Sequence, residues 1–388
     1  MAIYLDHAAT TPMRREVLEA MLPYLTEHHG NPSSIHASGR RARQGLDEAR
    51  ETIARALNAK PREIVFTSGG TEADNLAIKG VAWAASARGR HVVTSSVEHK
   101  AVLHACQVLE RQGFQVTYLP VDRYGRVDPH DVAAAIEDYT TLVSIVYANN
   151  EVGTIQPMAD IGAICRERGV PLHTDAVQAA AFLPIDVDGM QASLLSLGAH
   201  KLYGPKGVGA LHVRQGMQLL PQLQGGAQER QRRAGTENVA GIVGFAAALE
   251  LARAEAAAEA PRQGGLRDRL IGGLTSLDGV ELTGHPSERL PNSVSVVIDG
   301  VEGGDLVAAL DLDGVQASTG SACTTGSTEP SHVLLAMGIE PRLAHGSLRL
   351  TLGRDTTDED VGRTLEVFEA CVRRLRGNVG ARAAVASA

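Results

Sequence analysis

Short apolar runs alternate with stretches of helical periodicity over the first two-thirds of this 388-residue chain. The runs are rich in valine, isoleucine and leucine, which favour buried strands. Such alternation predicts an α/β fold with a mainly parallel sheet covered by helices on both faces. The seven predicted strands are residues 63–67, 91–95, 115–119, 142–148, 170–174, 193–197 and 208–213. The last two are too close for an intervening helix, so the final strand is expected to pair antiparallel.

Helical patterns cover residues 72–87, 100–111 and 161–168, between these strands. A longer Ala- and Glu-rich helix is predicted over residues 246–259. Pro261 and the Gly264–Gly265 pair follow it, and they indicate a hinge. Residues 266–376 then form a second, smaller α/β block, and residues 377–388 are expected to fray.

Composition excludes several classes of protein. Lys and Arg number 37 against 45 Asp and Glu, and this acidity argues against nucleic acid as the main partner. No apolar run reaches the roughly 18 residues that span a bilayer, so no membrane association is expected, and no secretory signal is visible at the N-terminus. The four cysteines are scattered without a CxxC pair, which indicates neither a disulfide framework nor a metal site. We therefore expect a cytoplasmic enzyme.

The turn after the predicted strand at 63–67 carries Gly69, Gly70 and Thr71 directly before a helix. Such a turn aims backbone N–H groups and the helix dipole at an anion, and the threonine adds a hydroxyl. The spacing matches neither a P-loop nor GxGxxG, so a nucleotide site is not favoured. An ordinary glycine turn with Thr71 as the N-cap explains the same residues.

Two ionisable residues follow predicted strands at the same edge of the sheet. Asp175 ends one strand, where ligands of open α/β sheets bind, and its carboxylate could pair with a cationic ring nitrogen. Gln178 could reach the same ligand. The alternative role of Asp175 is an N-cap. Lys201 follows a buried strand and precedes a glycine-rich turn, a position in which desolvation makes lysine a Schiff-base nucleophile. A solvated lysine at a strand end is the alternative.

Cys323 lies among small, turn-forming residues at positions 318–327, without apolar periodicity that would bury it. A cysteine in a polar loop is expected to be reactive. The other three, Cys106, Cys165 and Cys371, lie in helical patterns and are expected in the core. An anion cradle, an acid and a Schiff-base lysine together fit pyridoxal 5'-phosphate, and Cys323 adds sulfur chemistry.

The chain resembles the cysteine desulfurases of the nitrogen-fixation and housekeeping iron–sulfur type, in the class-V aminotransferase group of fold-type-I pyridoxal-phosphate enzymes. The resemblance extends from Tyr4 to Arg354. The matching motifs are Leu5-Asp6-His7-Ala8-Ala9-Thr10-Thr11-Pro12, Gly30-Asn31-Pro32-Ser33-Ser34, Glu98-His99-Lys100, Asn149-Asn150-Glu151 and Ala234-Gly235-Thr236-Glu237-Asn238. It implies that L-cysteine is converted to L-alanine and that its sulfur passes to Cys323 as a persulfide.

The resemblance also implies roles for residues around the cofactor. Lys201 would hold it as a Schiff base, and His99 would stack on its ring and transfer protons. Asp175 would pair with the ring nitrogen, with Gln178 and Asn150 near the phenolic oxygen. The phosphate would be held by Gly70, Thr71, His200 and, from the neighbouring subunit of a homodimer, Thr236. The substrate would be oriented by Asn31, Asn150 and Arg349.

Three further expectations follow from the resemblance. A large cofactor-binding domain would comprise residues 15–260, and a small domain with the cysteine loop would comprise residues 1–14 and 261–376. A sulfur-acceptor protein, such as an iron–sulfur scaffold, would be the partner. Gly198 stands where the family often has a phosphate-binding serine. A selenocysteine lyase, an aminotransferase or lyase of the same fold, and a non-enzymatic scaffold remain alternatives.

Overall fold

The computed structural model describes residues 2–320 and 329–386. Its strands are β1 (Ile3–Tyr4), β2 (Ile64–Thr67), β3 (His91–Ser95), β4 (Gln115–Leu119), β5 (Thr140–Ser144), β6 (Leu172–Asp175), β7 (Leu194–Gly198), β8 (Gly209–Val213), β9 (Val280–Leu282), β10 (Ser293–Ile298), β11 (Val315–Gln316) and β12 (Ser347–Thr351). Its helices are α1 (Arg15–Thr26), α2 (Ala37–Ala56), α3 (Gly70–Ala84), α4 (Lys100–Arg111), α5 (Pro129–Ala135), α6 (Met158–Glu167), α7 (Gln228–Gln231), α8 (Val239–Thr275), α9 (Gly303–Leu312), α10 (His332–Ala336), α11 (Pro341–Ala344) and α12 (Asp358–Ala386).

The large sheet has seven strands in the order β2-β8-β7-β6-β5-β3-β4. Strands β3 to β7 pair parallel, whereas β8 pairs antiparallel with both β7 and β2. The α/β prediction and the antiparallel final strand are confirmed. The reversal of β8 follows from the short connection after β7, which leaves no room for a crossover helix.

Both faces of the large sheet are buried, because successive side chains of each strand enter different apolar clusters. Val92 packs with the cluster under α3 and α4, and Val93 packs with the cluster under α2 and α8. Leu194 and Leu195 divide in the same way. Successive side chains of a strand point to opposite faces of the sheet, and here both sets are apolar. A sheet that lies between two layers of helices requires this pattern.

A separate apolar cluster surrounds the three-stranded antiparallel sheet β12-β10-β9. Helices α9 and α12 and the second half of α8 pack against it. Strand β1 joins this part of the molecule by pairing parallel with β11, and Asp6 bridges to Thr351. The predicted domain boundaries stay a prediction, and α8 runs continuously across the one placed at 260/261.

The hinge expected at Pro261 is wrong, because α8 continues through Pro261 and the glycine pair to Thr275. An internal proline removes one hydrogen bond and destabilises a helix by about 3 kcal/mol. Here α8 packs against α1 and α2 near one end and against α12 near the other, and this packing offsets that cost. The backbone of residues 377–386, where fraying was expected, continues α12.

No helix in the described part of the chain is both long and apolar enough to cross a membrane.

Candidate active site

A cavity of about 280 Å³ lies at the carboxyl ends of the parallel strands, where ligands of open α/β sheets bind. Nine residues singled out in the sequence line it: Gly70, Thr71, His99, Asn150, Asp175, Gln178, His200, Lys201 and Arg349. Asn31 and Thr236 do not line it, and both are exposed. Cys323 lies outside the described residues. Ala8, Ala9 and Asp74 also line the cavity, although no role at the site was predicted for them.

The turn from β2 into α3 forms one wall of the cavity. Helix α3 begins at Gly70, and its N-cap is Gly69, so the interpretation of Thr71 as the N-cap is wrong. The first N–H groups of this 15-residue helix have no partners within it and suit an anion. A Cβ atom on Gly70 would lie 2.6 Å from Cγ2 of Val177, so only glycine lets the turn approach the segment after β6 this closely.

His200 lies beside this turn, on the short 3₁₀ segment that follows β7. Its Nδ1 lies 3.2 Å from Oγ1 of Thr10. Burial, followed by the charges of Lys201 and Lys206, lowers the pKa of His200 to about 4, so its ring is neutral at pH 7. A neutral imidazole with Nδ1 engaged by a hydroxyl can present Nε2–H as a hydrogen-bond donor.

Lys201 ends the same 3₁₀ segment and is half-buried. Its Nζ donates to the carbonyl oxygens of Ala8, at 2.5 Å, and Ala9, at 2.6 Å. The N–H and hydroxyl of Thr11 both donate to the carbonyl oxygen of His200, which fixes the N-terminal segment against the lysine turn. Lys201 is therefore not the solvated strand-end lysine of the alternative interpretation.

Asp175 ends β6 and is buried, and its Oδ1 accepts a hydrogen bond from the N–H of Val177 at 2.9 Å. Burial raises the pKa of this carboxyl, while the charges of His99 and Lys201 oppose the increase. His99 is the N-cap of α4, and its Nδ1 accepts from the N–H of Ala101. A buried carboxyl that lines a cavity is suited to a cationic nitrogen of a bound ligand.

Arg349 lies in the middle of β12 and is only 2% exposed. Its Nη1 donates to the carbonyl oxygen of Asn150 at 3.0 Å, and its Nη2 donates to Oδ1 of Asp6 at 2.8 Å. Gln178 donates from Nε2 to the same Ala8 carbonyl that Lys201 contacts. The N-terminal segment thus contacts Lys201, Gln178 and Arg349 through Ala8 and Asp6.

The segment that leads to Cys323 begins beside Arg349. The N–H groups of Ser318 and Arg349 donate to each other's carbonyl oxygens. Gly320 lies against Glu151, since a Cβ atom there would be 3.1 Å from Oε2 of Glu151. Ser331, after the undescribed segment, donates its hydroxyl to the same Oε2. Burial raises the pKa of Glu151 to about 7.

The predicted roles of Cys106, Cys165 and Cys371 as core residues are confirmed, since all three are buried. Burial raises the pKa of Cys106 and of Cys165 to about 12, so neither is a thiolate at neutral pH. Asp74 and Glu151 were missed, although both carried a signal. Asp74 is a charged residue between apolar ones on α3, and Glu151 ends one of the motifs that supported the resemblance.

An amine, a buried carboxyl and a helix N-terminus at the carboxyl edge of a mainly parallel sheet are typical of an α/β enzyme. Together they suit a ligand with an anionic group and a cationic group. The chain belongs to the class-V aminotransferase family, whose model matches residues 3–364.

The chain is 55% identical to a cysteine desulfurase IscS of Methanosarcina thermophila, over 97% of this chain and 93% of the relative. A solved structure titled NifS-like protein has a TM-score of 0.90 at 39% identity, and the match covers 95% of this chain and 99% of the other. A structure titled SspA in complex with cysteine has a TM-score of 0.81 at 38% identity, over 90% of this chain and 98% of the other.

Proposed function

We propose that the protein is a pyridoxal-phosphate-dependent cysteine desulfurase that converts L-cysteine to L-alanine and transfers the sulfur to Cys323. The observation that carries this proposal is that Lys201, Asp175 and the N-terminus of α3 line one cavity. The likeness to proteins named cysteine desulfurase over nearly the whole chain supports the substrate.

The residues of the cavity fit the proposed cofactor at its aldehyde, its ring nitrogen and its phosphate. Lys201 offers an amine to the aldehyde, and Asp175 offers a buried carboxylate to the ring nitrogen. The start of α3, with Thr71 and neutral His200, offers donors to the phosphate. The hydroxyl usual in the family is absent at Gly198, but this residue lies beside the cradle, since a Cβ atom there would be 3.6 Å from the N atom of Gly70.

When bound, pyridoxal phosphate stabilises negative charge at the substrate's α-carbon. The residues of the chain supply the rest. Arg349 is positioned to bind the substrate carboxylate, because a guanidinium donates two parallel hydrogen bonds to a carboxylate. Lys201 provides the amine that accepts the α-proton, and His99 is the second proton-transfer group beside Asp175. The roles of Asn150 and Gln178 near the phenolic oxygen, and of Asn31 toward the substrate, stay predictions.

Cys323 follows Gly320 by three residues in the sequence. Gly320 contacts Glu151, whose neighbour Asn150 lines the cavity. In the transfer step the Cys323 thiolate attacks the sulfur of the bound substrate. An S–S bond forms, the C–S bond breaks, and its electron pair stays with the carbon skeleton, which takes a proton and leaves as L-alanine.

The functional unit is proposed to be a cytoplasmic homodimer that delivers sulfur to an acceptor protein such as an iron–sulfur scaffold. Thr236 is exposed and outside the cavity lining, as expected of a residue that completes the phosphate site of a second copy.

The test is to measure alanine and sulfide released from L-cysteine in the presence of a thiol reductant. Wild type should form both, while Lys201→Ala and Cys323→Ala should form neither above about 1% of that rate, because each loses a covalent partner of the reaction. Cys371→Ala is the matched control and should keep the wild-type rate. A persulfide should be trapped on Cys323 alone.

Three other outcomes would contradict the proposal. A keto acid in place of alanine indicates an aminotransferase. Faster turnover of selenocysteine than of cysteine indicates a selenocysteine lyase. Full function of Lys201→Ala in a complementation assay indicates a scaffold.

A further inference from the structure

Asp74 is a carboxyl that the proposed mechanism leaves without a role. It lies on α3, one turn inside the anion cradle, between Ala73 and Leu76 on the buried face, and it is 1% exposed. It lines the cavity together with Asp175. One of its oxygens, an oxygen of Asp175 and a ring nitrogen of His99 all lie within 4.8 Å of one another. A fully buried acid this close to a second acid must be explained chemically.

The groups around Asp74 are two carboxyls, a hydroxyl and two imidazoles. The carboxyls are those of Asp175 and Glu98, and the hydroxyl is that of Ser196. One imidazole is the His99 ring described above. The other is His173, whose Nε2 lies 3.7 Å from Oδ1 of Asp74 and 3.0 Å from the Ser196 hydroxyl. Burial lowers the pKa of His173 to about 3, so this ring is neutral and gives Asp74 no positive charge.

The neighbourhoods of the two aspartates are therefore unequal. The His99 ring lies near both carboxyls, but the charge of Lys201 and the N–H of Val177 also favour the ionised form of Asp175. Burial and then the charge of Asp175 raise the pKa of Asp74 well above that of an ordinary aspartate. Two adjacent buried carboxyls do not both ionise, and the proton stays on the one with less cationic support.

We propose that Asp74 is a positioning residue, which stays a neutral carboxylic acid and donates its proton to Asp175 in a hydrogen bond. This bond keeps Asp175 ionised and, together with the N–H of Val177, fixes its orientation toward the cavity. The donor role is the opposite of the metal-ligand role that two carboxyls and a histidine would otherwise indicate. The inference rests on the proposed function only in that the partner of Asp175 is the cationic nitrogen of the cofactor.

The first test measures the proton directly, by infrared difference spectroscopy of the full-length protein at pH 7. Wild type minus Asp74→Asn should show the C=O stretching band of a protonated carboxylic acid. Glu98→Gln is the matched control, since burial raises the pKa of Glu98 to about 8 and its removal should abolish a separate band. If no protonated-acid band is lost in Asp74→Asn, the proposal is wrong.

The second test measures pyridoxal-phosphate binding to cofactor-free protein by absorbance titration. Asp74→Asn keeps an N–H donor toward Asp175 and should weaken binding by less than about threefold, whereas Asp74→Ala should weaken it by at least about tenfold. Thr364→Val, which alters a fully buried hydroxyl that does not line the cavity, should bind as wild type does. Equal affinity of Asp74→Ala and wild type would overturn the proposal.

The two tests separate this inference from the proposed function. If wild type binds no pyridoxal phosphate, the proposed function fails, while the infrared band still decides whether Asp74 holds the proton. If Asp74→Ala does not fold, the spectrum of Asp74→Asn decides the same question.

Discussion

Arg349 and Asp6 form an ion pair in which Nη2 of the arginine lies 2.8 Å from Oδ1 of the aspartate. The arginine is almost fully buried, and a second nitrogen donates to the carbonyl of Asn150. Its Nε is buried without a hydrogen-bond partner among the described residues. The guanidinium is therefore oriented before a substrate arrives, and a substrate carboxylate has to share it with Asp6.

Arg349→Lys should raise the KM for L-cysteine and lower kcat/KM about 10- to 100-fold, because an ammonium keeps the charge but loses the fork that binds a carboxylate at two points. Steady-state alanine formation over a range of L-cysteine concentrations measures both constants. Arg342→Lys, on the exposed α11, is the control and should leave them unchanged. An unchanged KM in Arg349→Lys would remove the arginine from substrate binding.

Gly70→Ala should weaken pyridoxal-phosphate binding by at least about tenfold, because the added methyl would meet the Val177 side chain at 2.6 Å and displace the turn. Val177→Ala removes that methyl contact, so the double variant should recover most of the affinity. Absorbance titration of the cofactor-free proteins gives the dissociation constants. Gly264→Ala, where the methyl meets nothing within 4 Å, is the control. If the double variant did not recover affinity for pyridoxal phosphate, the turn at Gly70 would not be the site that binds the phosphate.

Glu98→Gln should remove part of the dependence of folding stability on pH. Burial raises the pKa of Glu98 from 4.5 to about 8, so the folded protein binds a proton that the unfolded chain has lost. Stability therefore falls as pH rises from about 4.5 to about 8, by up to about 1.4 kcal/mol per pH unit. The free energy of unfolding from urea titrations should match wild type near pH 4 and exceed it near pH 9. Glu19→Gln, on the surface, should change neither value.

Glu229→Ala should destabilise the protein by about 3 to 5 kcal/mol, because it leaves the buried guanidinium of Arg50 without its counter-charge. The Arg50 side chain holds both carboxylate oxygens of Glu229, at 2.8 and 2.6 Å. Glu19→Ala breaks the exposed Arg15–Glu19 pair instead and should cost less than about 0.5 kcal/mol. Urea unfolding compares the two, and equal losses would mean that the buried pair contributes no more than a surface one.

Sequence patterns located the elements best where turn-forming residues mark their ends. The bounds of β3, β4 and α4 match their predicted ranges, because Gly89, Gly113 and Pro120 lie beside the ends of these elements. Strand β5 was predicted over 142–148 but spans Thr140–Ser144. Beyond this strand the N–H groups of Ile145 and Tyr147 still donate to carbonyl oxygens of β6. The residues between and after them, Val146 and Ala148, line the cavity. At the other end, the polar Thr141 is buried because its hydroxyl donates to the carbonyl of His91.

The cavity could be predicted in outline because its groups follow strand ends in sequence. What the sequence did not reveal depends on contacts between distant segments. The carbonyls of Ala8 and Ala9, which hold the Lys201 amine, come from residues more than 190 positions away and carry no side-chain signal. The break expected at Pro261 failed for a related reason, since tertiary packing of α8 overrides local helix propensity.

The pairing of β1 with β11 also sets an order of assembly during synthesis. Ile3 and Tyr4 leave the ribosome first, but their partners Val315 and Gln316 follow only after more than three hundred further residues, a delay of tens of seconds at roughly 5–20 residues per second. During that interval the segment that carries the Lys201 acceptors lacks its anchor at β11. We expect a nascent chain to gain a stable cofactor pocket only near the end of translation, so the early-folding sheet and the late-folding pocket are separated in time.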